Sequence, residues 1–254
     1  MIRSAIRFVC PAVTLMLTPV VFSGGSIDFE SIPNSIPTEG LTISGQFAGT
    51  WGVTFSLANG ASPVLAKVGA PQTAFQGFQA LPDQPAPGSN AGQYFLTDDG
   101  VVAGPPADLI VCYATPVHGA SGILLDIDGN EAWTIEALDE HGTVVAELQL
   151  GPNNEVDGSA TPWSFSSASH QIWSIRFAYT GSQSGGVGLA FDNFSPSEPF
   201  CPADLNADGL VDGADLAVLL GAWGSPGLAD FDSSGSVDGA DLGTLLGAWG
   251  ACPN

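Results

Sequence analysis

The chain has 254 residues, enough for one ordinary domain and a second, smaller one. It carries 26 Asp and Glu against 4 Lys and Arg, and two of those four, Arg3 and Arg7, lie at the extreme N-terminus. With so few cations to neutralise phosphate, nucleic acid and anionic membrane surfaces are excluded as partners, whereas divalent cations and neutral glycans are not.

Residues 1–23 are predicted to be a secretory signal peptide. Arg3 and Arg7 give it a positive beginning, an apolar run extends from Phe8 to Phe22, and Ser23 is a small residue at the predicted cleavage point. A membrane anchor is the less favoured alternative, because the run is short and is interrupted by Pro residues. We therefore expect a secreted protein, extracellular or at the cell surface, with no membrane insertion after signal cleavage.

Residues 24–194 are predicted to form one β-rich domain. Apolar and polar residues alternate along 132–138 and 143–150, with turn residues between them at 139–142 and before them at 128–130. Asp-Gly and His-Gly turns beside such runs predict β-hairpins. The expected fold class is mainly β, an antiparallel β-sandwich or jelly roll.

A Pro- and Ser-containing linker at 195–200 leads to a tail, residues 201–254, with an internal repeat. Segments 204–215 and 230–241 match at an offset of 26 residues, with Gly at position 6 and oxygen-bearing side chains at positions 1, 3, 5, 9 and 12. This is the spacing of a twelve-residue calcium loop, in which position 7 binds through its backbone carbonyl. We predict two Ca²⁺ ions with these ligands: Asp204, Asn206, Asp208, Leu210, Asp212 and Asp215 in loop one; Asp230, Asp232, Ser234, Ser236, Asp238 and Asp241 in loop two.

Leu and Trp residues recur at helical spacing after each loop, which predicts two short helices whose apolar stripes bury each other. Trp223 and Trp249 are expected to belong to this shared core. Each loop also concentrates four carboxylates with no cation nearby, so folding of the tail is expected to be coupled to metal binding. Ser234 is a weaker ligand than a carboxylate, and loop two is expected to bind less tightly.

Cys112, Cys201 and Cys252 remain after removal of the signal peptide. An odd number of cysteines in an oxidising compartment leaves one pair and one free thiol, or three free thiols. A two-fold arrangement of the loop–helix units brings the ends of the tail together, which favours a disulfide between Cys201 and Cys252. Cys112 is then expected to be unpaired and buried in a strand.

The tail resembles a dockerin, in the Cys-flanked variety with Gly-Ala-Trp endings found on exported proteins of planctomycete-type bacteria. The resemblance rests on the tandem loop–helix pair, the Asp-x-Asn-x-Asp-Gly pattern of loop one, and the flanking Cys201 and Cys252. It implies a small all-α calcium-binding module that attaches the protein to a cohesin-like or other surface receptor. Positions 10 and 11 of each loop, usually Ser-Thr-like in the family, are Gly213-Ala214 and Gly239-Ala240 here.

The front domain loosely resembles secreted β-sandwich domains of jelly-roll type, through an early Asp-Phe-Glu and a closing Phe-Asp-Asn-Phe strand. In carbohydrate-binding jelly rolls the first and last strands are neighbours, and acids on them can hold a structural calcium ion. Glu30, Asp192 and Asn193 are the candidates for such a further Ca²⁺ site. Polar groups of ordinary turns and edge strands are the alternative.

The predicted function is that of a secreted calcium-binding protein, displayed or assembled through the dockerin-like module in extracellular polysaccharide binding or breakdown. The β domain is then the carried part, with a possible glycan ligand. The alternatives are a polysaccharide-active hydrolase or lyase, or a purely structural surface protein. Four tryptophans supply either a stacking platform or core: Trp51, Trp133, Trp163 and Trp173.

Glycoside hydrolysis needs two carboxylates a few ångströms apart, one of them with a raised pKa. Asp126, Asp128 and Glu131 lie close together in sequence, but in a segment predicted to be a solvated turn. No catalytic residue is assigned, and enzymatic activity is the less favoured interpretation.

Overall fold

The computed structural model describes residues 26–69, 85–98, 105–152, 158–166, 171–183, 187–196, 201, 203–206, 210–227, 229–232 and 234–252. The predicted signal peptide lies outside these residues. None of the helices in the described ranges is long and apolar enough to cross a membrane.

The described part of the front domain contains one helical turn, α1 (Ala48–Trp51), and ten strands. The strands are β1 (Val53–Leu57), β2 (Val64–Lys67), β3 (Tyr94–Thr97), β4 (Leu109–Val117), β5 (Gly119–Leu125), β6 (Trp133–Leu138), β7 (Val144–Leu150), β8 (Ala160–Ser166), β9 (Ile172–Tyr179) and β10 (Phe191–Pro196). They form two five-stranded antiparallel sheets, with the orders β1-β4-β9-β6-β7 and β2-β3-β10-β5-β8.

The strands from β3 to β10 follow the path of a jelly roll. When these eight strands are numbered 1 to 8, the first sheet has the order 2-7-4-5 and the second has the order 1-8-3-6. Ile27 and Phe194 exchange two backbone hydrogen bonds of 2.7 and 2.9 Å, so the start of the domain adjoins its last strand as expected. The predicted mainly β, antiparallel fold is confirmed.

Aromatic side chains from both sheets meet in the space between them. The ring of Phe177 on β9 lies 5.1 Å from the rings of both Trp163 on β8 and Phe191 on β10. Phe55 on β1 extends this cluster, with its ring 6.3 Å from Phe191. Buried and half-buried residues alternate along β1 and β6, where one face of the strand meets this core, whereas the first five residues of β4 are all buried.

One of the two predicted hairpins is correct. Strands β6 and β7 pair directly, and Asp139 Oδ1 in their turn accepts hydrogen bonds from the backbone N–H groups of His141 and Thr143, at 2.8 and 2.7 Å. The hairpin predicted around 128–130 is wrong, because this segment crosses from one sheet to the other. Strand β5 is paired with β10 on one side and β8 on the other, so it has no free edge for β6.

The four tryptophans of the front domain are part of its packing. Trp133 and Trp163 are only 2% and 3% exposed, and Trp51 and Trp173 are half-buried. The core alternative therefore holds for Trp133 and Trp163, whereas a stacking role for Trp51 and Trp173 stays a prediction.

The tail contains two nine-residue helices, α2 (Gly213–Gly221) and α3 (Gly239–Gly247). It is not wholly helical, because β11 (Leu210–Val211) pairs with β12 (Gly250–Ala251). Its small core is separate from that of the front domain and is formed by these buried residues: Ala203, Val211, Leu219, Ala229, Val237 and Leu245. Strand β10 extends to Pro196, so the first two residues of the predicted linker, 195–200, belong to the front domain.

The predicted disulfide between Cys201 and Cys252 is present, with a Cα–Cα distance of 5.7 Å. Cys112 is buried as expected, but it is also disulfide-bonded, so its prediction as a free thiol is wrong. The expectation counted only the three cysteines beyond the signal peptide, whereas the whole chain holds four. The partner of Cys112 lies outside the described residues.

We predict that the close packing of β5 against Trp163 requires a glycine at position 122. A Cβ atom at this position would lie 2.9 Å from the indole ring, which is itself fixed among core aromatics. We expect Gly122→Ala to lower the free energy of unfolding by about 1–3 kcal/mol, as overpacking does. Urea unfolding measures this loss. Gly151→Ala is the matched control, since nothing lies within 4 Å of its added Cβ, and an equal loss in both variants would contradict the argument.

Candidate metal centre

Loop two brings three of its predicted ligands together. Carboxylate oxygens of Asp230, Asp232 and Asp241 all lie within 4.8 Å of one another, and this is the one such cluster of His, Cys, Asp and Glu side chains found among the described residues. Ser234 lies in the same turn, where its backbone N–H donates to Asp230 and Asp232, each at 3.0 Å. Calcium takes six to eight oxygen ligands, and these three carboxylates would supply part of such a set.

The last residue of each loop holds the loop closed. Asp241 Oδ1 accepts from the backbone N–H of Phe231 at 2.7 Å, and its Oδ2 accepts from the N–H of Asp238 at 2.8 Å. Asp215 does the same in loop one, with 2.7 Å to the N–H of Leu205 and 2.8 Å to that of Asp212. Asp is shorter than the Glu of calmodulin-type loops, and the backbone is drawn in around it.

Backbone donors keep these two carboxylates ionised. Burial would by itself raise the pKa of Asp215, but the N–H groups of Asp212, Asn206 and Leu205 together lower it. The pKa of Asp241 is lowered first by the N–H of Asp238 and then by that of Phe231. Both side chains are fully enclosed, with no measurable exposed surface. The loops thus present charged oxygen ligands at neutral pH.

The residues at position 9 serve a second purpose. Asp212 and Asp238 are the N-caps of α2 and α3, and their carboxylates accept from the N–H groups of Ala214 and Ala240 at 2.7 and 2.8 Å. In both helices the carboxylate at position 12 returns a hydrogen bond to the N-cap backbone, which completes a capping box. The Asp-x-x-Asp spacing at positions 9 and 12 is the sequence signal for this box. The sequence-based prediction assigned these residues only as metal ligands.

Loop one is described only in part. Asp204, Asn206, Leu210 and Asp212 lie in the described residues, whereas Asp208 lies outside them. Asp204 Oδ2 is 3.7 Å from Sγ of Cys252, so the disulfide lies against the start of this loop. In loop two, Ser236 supplies a backbone carbonyl that accepts from the Ser234 hydroxyl at 3.2 Å.

The two tail tryptophans are not where the sequence placed them. Trp223 and Trp249 are 48% and 50% exposed, and Leu220 and Leu246 are each 51% exposed. The expectation that these tryptophans belong to a shared core is therefore wrong. Leu219 and Leu245, with half-buried Leu residues one turn before them, already fill the interior of so small a module.

The carboxylates of the sheet crossover form a different kind of site. Glu131 is only 5% exposed, so the expectation of a solvated turn is wrong for this residue. Burial, followed by the charges of Asp126 and Asp128, raises the pKa of Glu131 to about 8. Its Oε1 accepts from Gln183 Nε2 at 3.4 Å, and Asp126 Oδ1 accepts from the backbone N–H of Gly158 at 2.8 Å. These contacts tie the crossover to neighbouring loops.

The candidates for a further calcium site lie at the junction of the first and last segments of the domain. Glu30 Oε1 accepts from the backbone N–H groups of Gln93 and Tyr94, the latter at 2.8 Å. Asp192 is fully buried; burial, with the charges of Asp28 and Glu30, raises its pKa to about 7. The Asn193 side chain turns to the backbone carbonyl of Asn90 at 2.8 Å.

Glu30, Asp192 and Asn193 therefore all bind backbone groups of residues 90–94, around the start of β3. The three candidate residues are close in the fold, and a calcium ion held by them stays a prediction.

A cleft of about 590 Å³ lies between β5, β8 and the edge strand β7. None of the described residues that line it is charged, although the chain as a whole has a net charge of −22. The lining consists of Ser121, Gly122, Ile123, Leu148, Leu150, Pro162, Trp163, Ser164 and Asn193. No local sequence pattern indicates this cleft, because its walls come from four separate strands.

No protein family profile matches this chain, and no curated protein is similar to it. Solved structures with some similarity include the K2 cleaved adhesin domain of Lys-gingipain, at 12% identity, a TM-score of 0.35, and coverage of 68% of this chain and 96% of that one. The K3 adhesin domain of Lys-gingipain from Porphyromonas gingivalis W83 gives 10% identity and a TM-score of 0.32, with 62% and 96% covered.

The family 32 carbohydrate-binding module of NanJ from C. perfringens, solved with galactose, gives 18% identity and a TM-score of 0.27, with 55% and 93% covered. These TM-scores are low, so the similarities assign no function to this chain.

The raised pKa of Glu131 predicts a pH-dependent stability. Between pH 4.5, the ordinary pKa of a Glu side chain, and about pH 8, Glu131 is ionised in the unfolded chain but still protonated in the folded chain. The contribution of Glu131 to stability is therefore complete below pH 4.5 and is lost as the pH rises through about 8, with a slope of up to ~1.4 kcal/mol per pH unit. Glu131→Gln removes this slope, because the amide does not titrate.

The measurement is urea unfolding of the full chain in calcium, followed by near-ultraviolet circular dichroism from about pH 5 to about pH 8. Glu147→Gln is the matched control on an exposed position and retains the wild-type slope. Equal slopes in wild type and Glu131→Gln would show that this carboxyl is ionised in the folded state.

Proposed function

We propose that residues 201–254 are a dockerin-like module that binds two Ca²⁺ ions and attaches a secreted β-sandwich protein to a surface receptor. The observation that carries the proposal is the convergence of the Asp230, Asp232 and Asp241 carboxylates within 4.8 Å. The internal repeat supports a second, equivalent site, since Asp215 makes the same loop-closing hydrogen bonds as Asp241.

Electrostatics supports a cation rather than any other ligand. The tail holds eight Asp residues and no Lys, Arg or His. Carboxylates that are held ionised at such short range repel one another at distances below the Debye length of ~8–10 Å, and a divalent cation removes this repulsion. The disulfide fits an oxidising, extracellular location.

Calcium titration of the metal-free full chain tests the proposal. Isothermal titration calorimetry is expected to give two ions per chain, with helical circular dichroism rising as they bind, since metal binding and folding are coupled. Asp204→Asn and Asp230→Asn remove one carboxylate from position 1 of each loop. Each is expected to weaken one ion by about tenfold or more and leave the other in place.

Glu140→Gln is the control, because it removes an equal charge from an exposed turn of the front domain. Two undisturbed ions in both loop variants, or no calcium binding by the wild type, would refute the calcium module.

A second function is proposed for the front domain: binding of a neutral glycan in the cleft of about 590 Å³. This volume lies within the range of ligand sites, and the lining combines aliphatic side chains with the hydroxyls of Ser121 and Ser164 and the amide of Asn193. An uncharged surface of this kind suits a ligand with hydroxyl groups and apolar ring faces. The strong negative charge of the chain disfavours acidic glycans.

Neutral and uronic-acid oligosaccharides should be titrated separately into the full chain, with released reducing ends measured in parallel. Binding of neutral sugars alone is expected, and Ser164→Tyr, which fills the cleft from an exposed strand position, is expected to abolish it. Gln149→Tyr is the matched control, because Gln149 is exposed on the adjacent strand and does not line the cleft. Product release would instead support the hydrolase, and equal binding by both variants would place the ligand elsewhere.

A further inference from the structure

The two repeats of the tail expose the same large apolar side chains. Leu220 and Trp223 at the end of α2 are 51% and 48% exposed, and Leu246 and Trp249 at the end of α3 are 51% and 50% exposed. An isolated exposed Leu needs no explanation, but an exposed Trp beside a Leu, present twice, marks an interaction surface. Val218 is also exposed on α2, yet its counterpart in α3 is Thr244, so this position is not repeated.

Within each pair, the Leu and the Trp are one helical turn apart, and backbone contacts hold them in place. The N–H of Trp223 donates to the carbonyl of Leu220 at 3.4 Å, and Trp223 then forms a bridge with Val237 of loop two. In the second repeat, Gly250, directly after Trp249, pairs with Val211 of loop one. Trp223 is therefore paired with the opposite loop, and Trp249 directly precedes a residue that is, which makes the position of each tryptophan depend on a folded loop.

The charges around these pairs select the partner. Both pairs lie at helix C-termini, where unpaired carbonyl groups carry partial negative charge, and neither helix has a basic residue in its last turn. The tail has eight Asp residues and no basic residue, so it stays negative even with two Ca²⁺ ions bound. A second copy of this chain has the same net charge of −22, so the two copies would repel each other. The front domain leaves both pairs exposed, so it does not cover them.

We infer that Leu220 with Trp223 and Leu246 with Trp249 form two equivalent docking faces for a separate protein whose apolar groove is bordered by Lys and Arg side chains. The inference rests on the proposed calcium module, and it places recognition at the helix ends. The Gly213-Ala214 and Gly239-Ala240 pairs at the helix beginnings offer neither apolar bulk nor side-chain donors. Tryptophan at the centre of an interface contributes strongly to affinity.

The test titrates a synthetic amphipathic Leu–Lys helix into the calcium-loaded full chain, with a Leu–Glu helix of the same pattern as the opposite-charge probe. Two Leu–Lys peptides are expected to bind per chain, more weakly as salt is added. Trp223→Ala and Trp249→Ala are each expected to leave one peptide, and the double variant is expected to weaken binding at least about tenfold. Ile36→Ala is the matched control, because Ile36 is 81% exposed on the front domain.

Calcium titration of the same variants separates this inference from the function on which it rests. If every variant binds two ions but the tryptophan variants bind the Leu–Lys helix like the wild type, the docking faces are refuted and the calcium module stands. Equal binding of the Leu–Glu helix refutes the charge argument. Calcium-dependent dimers in sedimentation, lost in the double variant, would show that the faces cover each other in a second copy. Failure of the wild type to bind calcium refutes the proposed function itself.

Discussion

The front domain depends on one aromatic cluster between its sheets, in which Phe177, Phe191 and Trp163 approach to ring distances of 5.1–6.2 Å. Each ring comes from a different strand, and these three strands, β8, β9 and β10, follow one another along the chain. Since β8 and β10 belong to one sheet and β9 to the other, the cluster holds the two sheets together where the chain crosses between them. Trp163 is almost fully buried in this cluster and also lines the cleft beside β5, β7 and β8, so the cluster supports one wall of that cleft.

The tail, in contrast to the front domain, has almost no apolar interior. Six small or medium residues form its fully buried core, and fully enclosed carboxylates, Asp215 and Asp241, take the place of further apolar groups. Burying a carboxylate is costly unless donors surround it, and here backbone N–H groups do so in both loops. The same oxygens that close the loops belong to the residues proposed as cation ligands, so the proposed metal site and the stability of the module depend on one set of atoms.

Local patterns allowed much of this to be predicted. The β6–β7 hairpin, the two helices and the Cys201–Cys252 bond followed from turn residues, apolar spacing and the repeat. Long-range choices were not accessible. The turn after β5 looked like a hairpin because sequence does not tell which sheet edge is free. Trp223 fitted an apolar stripe, but a stripe does not reveal how little interior two nine-residue helices enclose.

The Cys201–Cys252 bond has a mechanical meaning as well as a thermodynamic one. It joins the two ends of the tail across 51 residues, with Cα atoms 5.7 Å apart. The front domain connects to this module at Cys201, the same point at which the far end of the module is fastened. A force applied through the front domain would thus enter the tail at a covalently closed ring, and the tail could lengthen only within the limits of that ring. Both acidic loops, 204–215 and 230–241, lie inside it, so a pull on the protein cannot draw them out end to end.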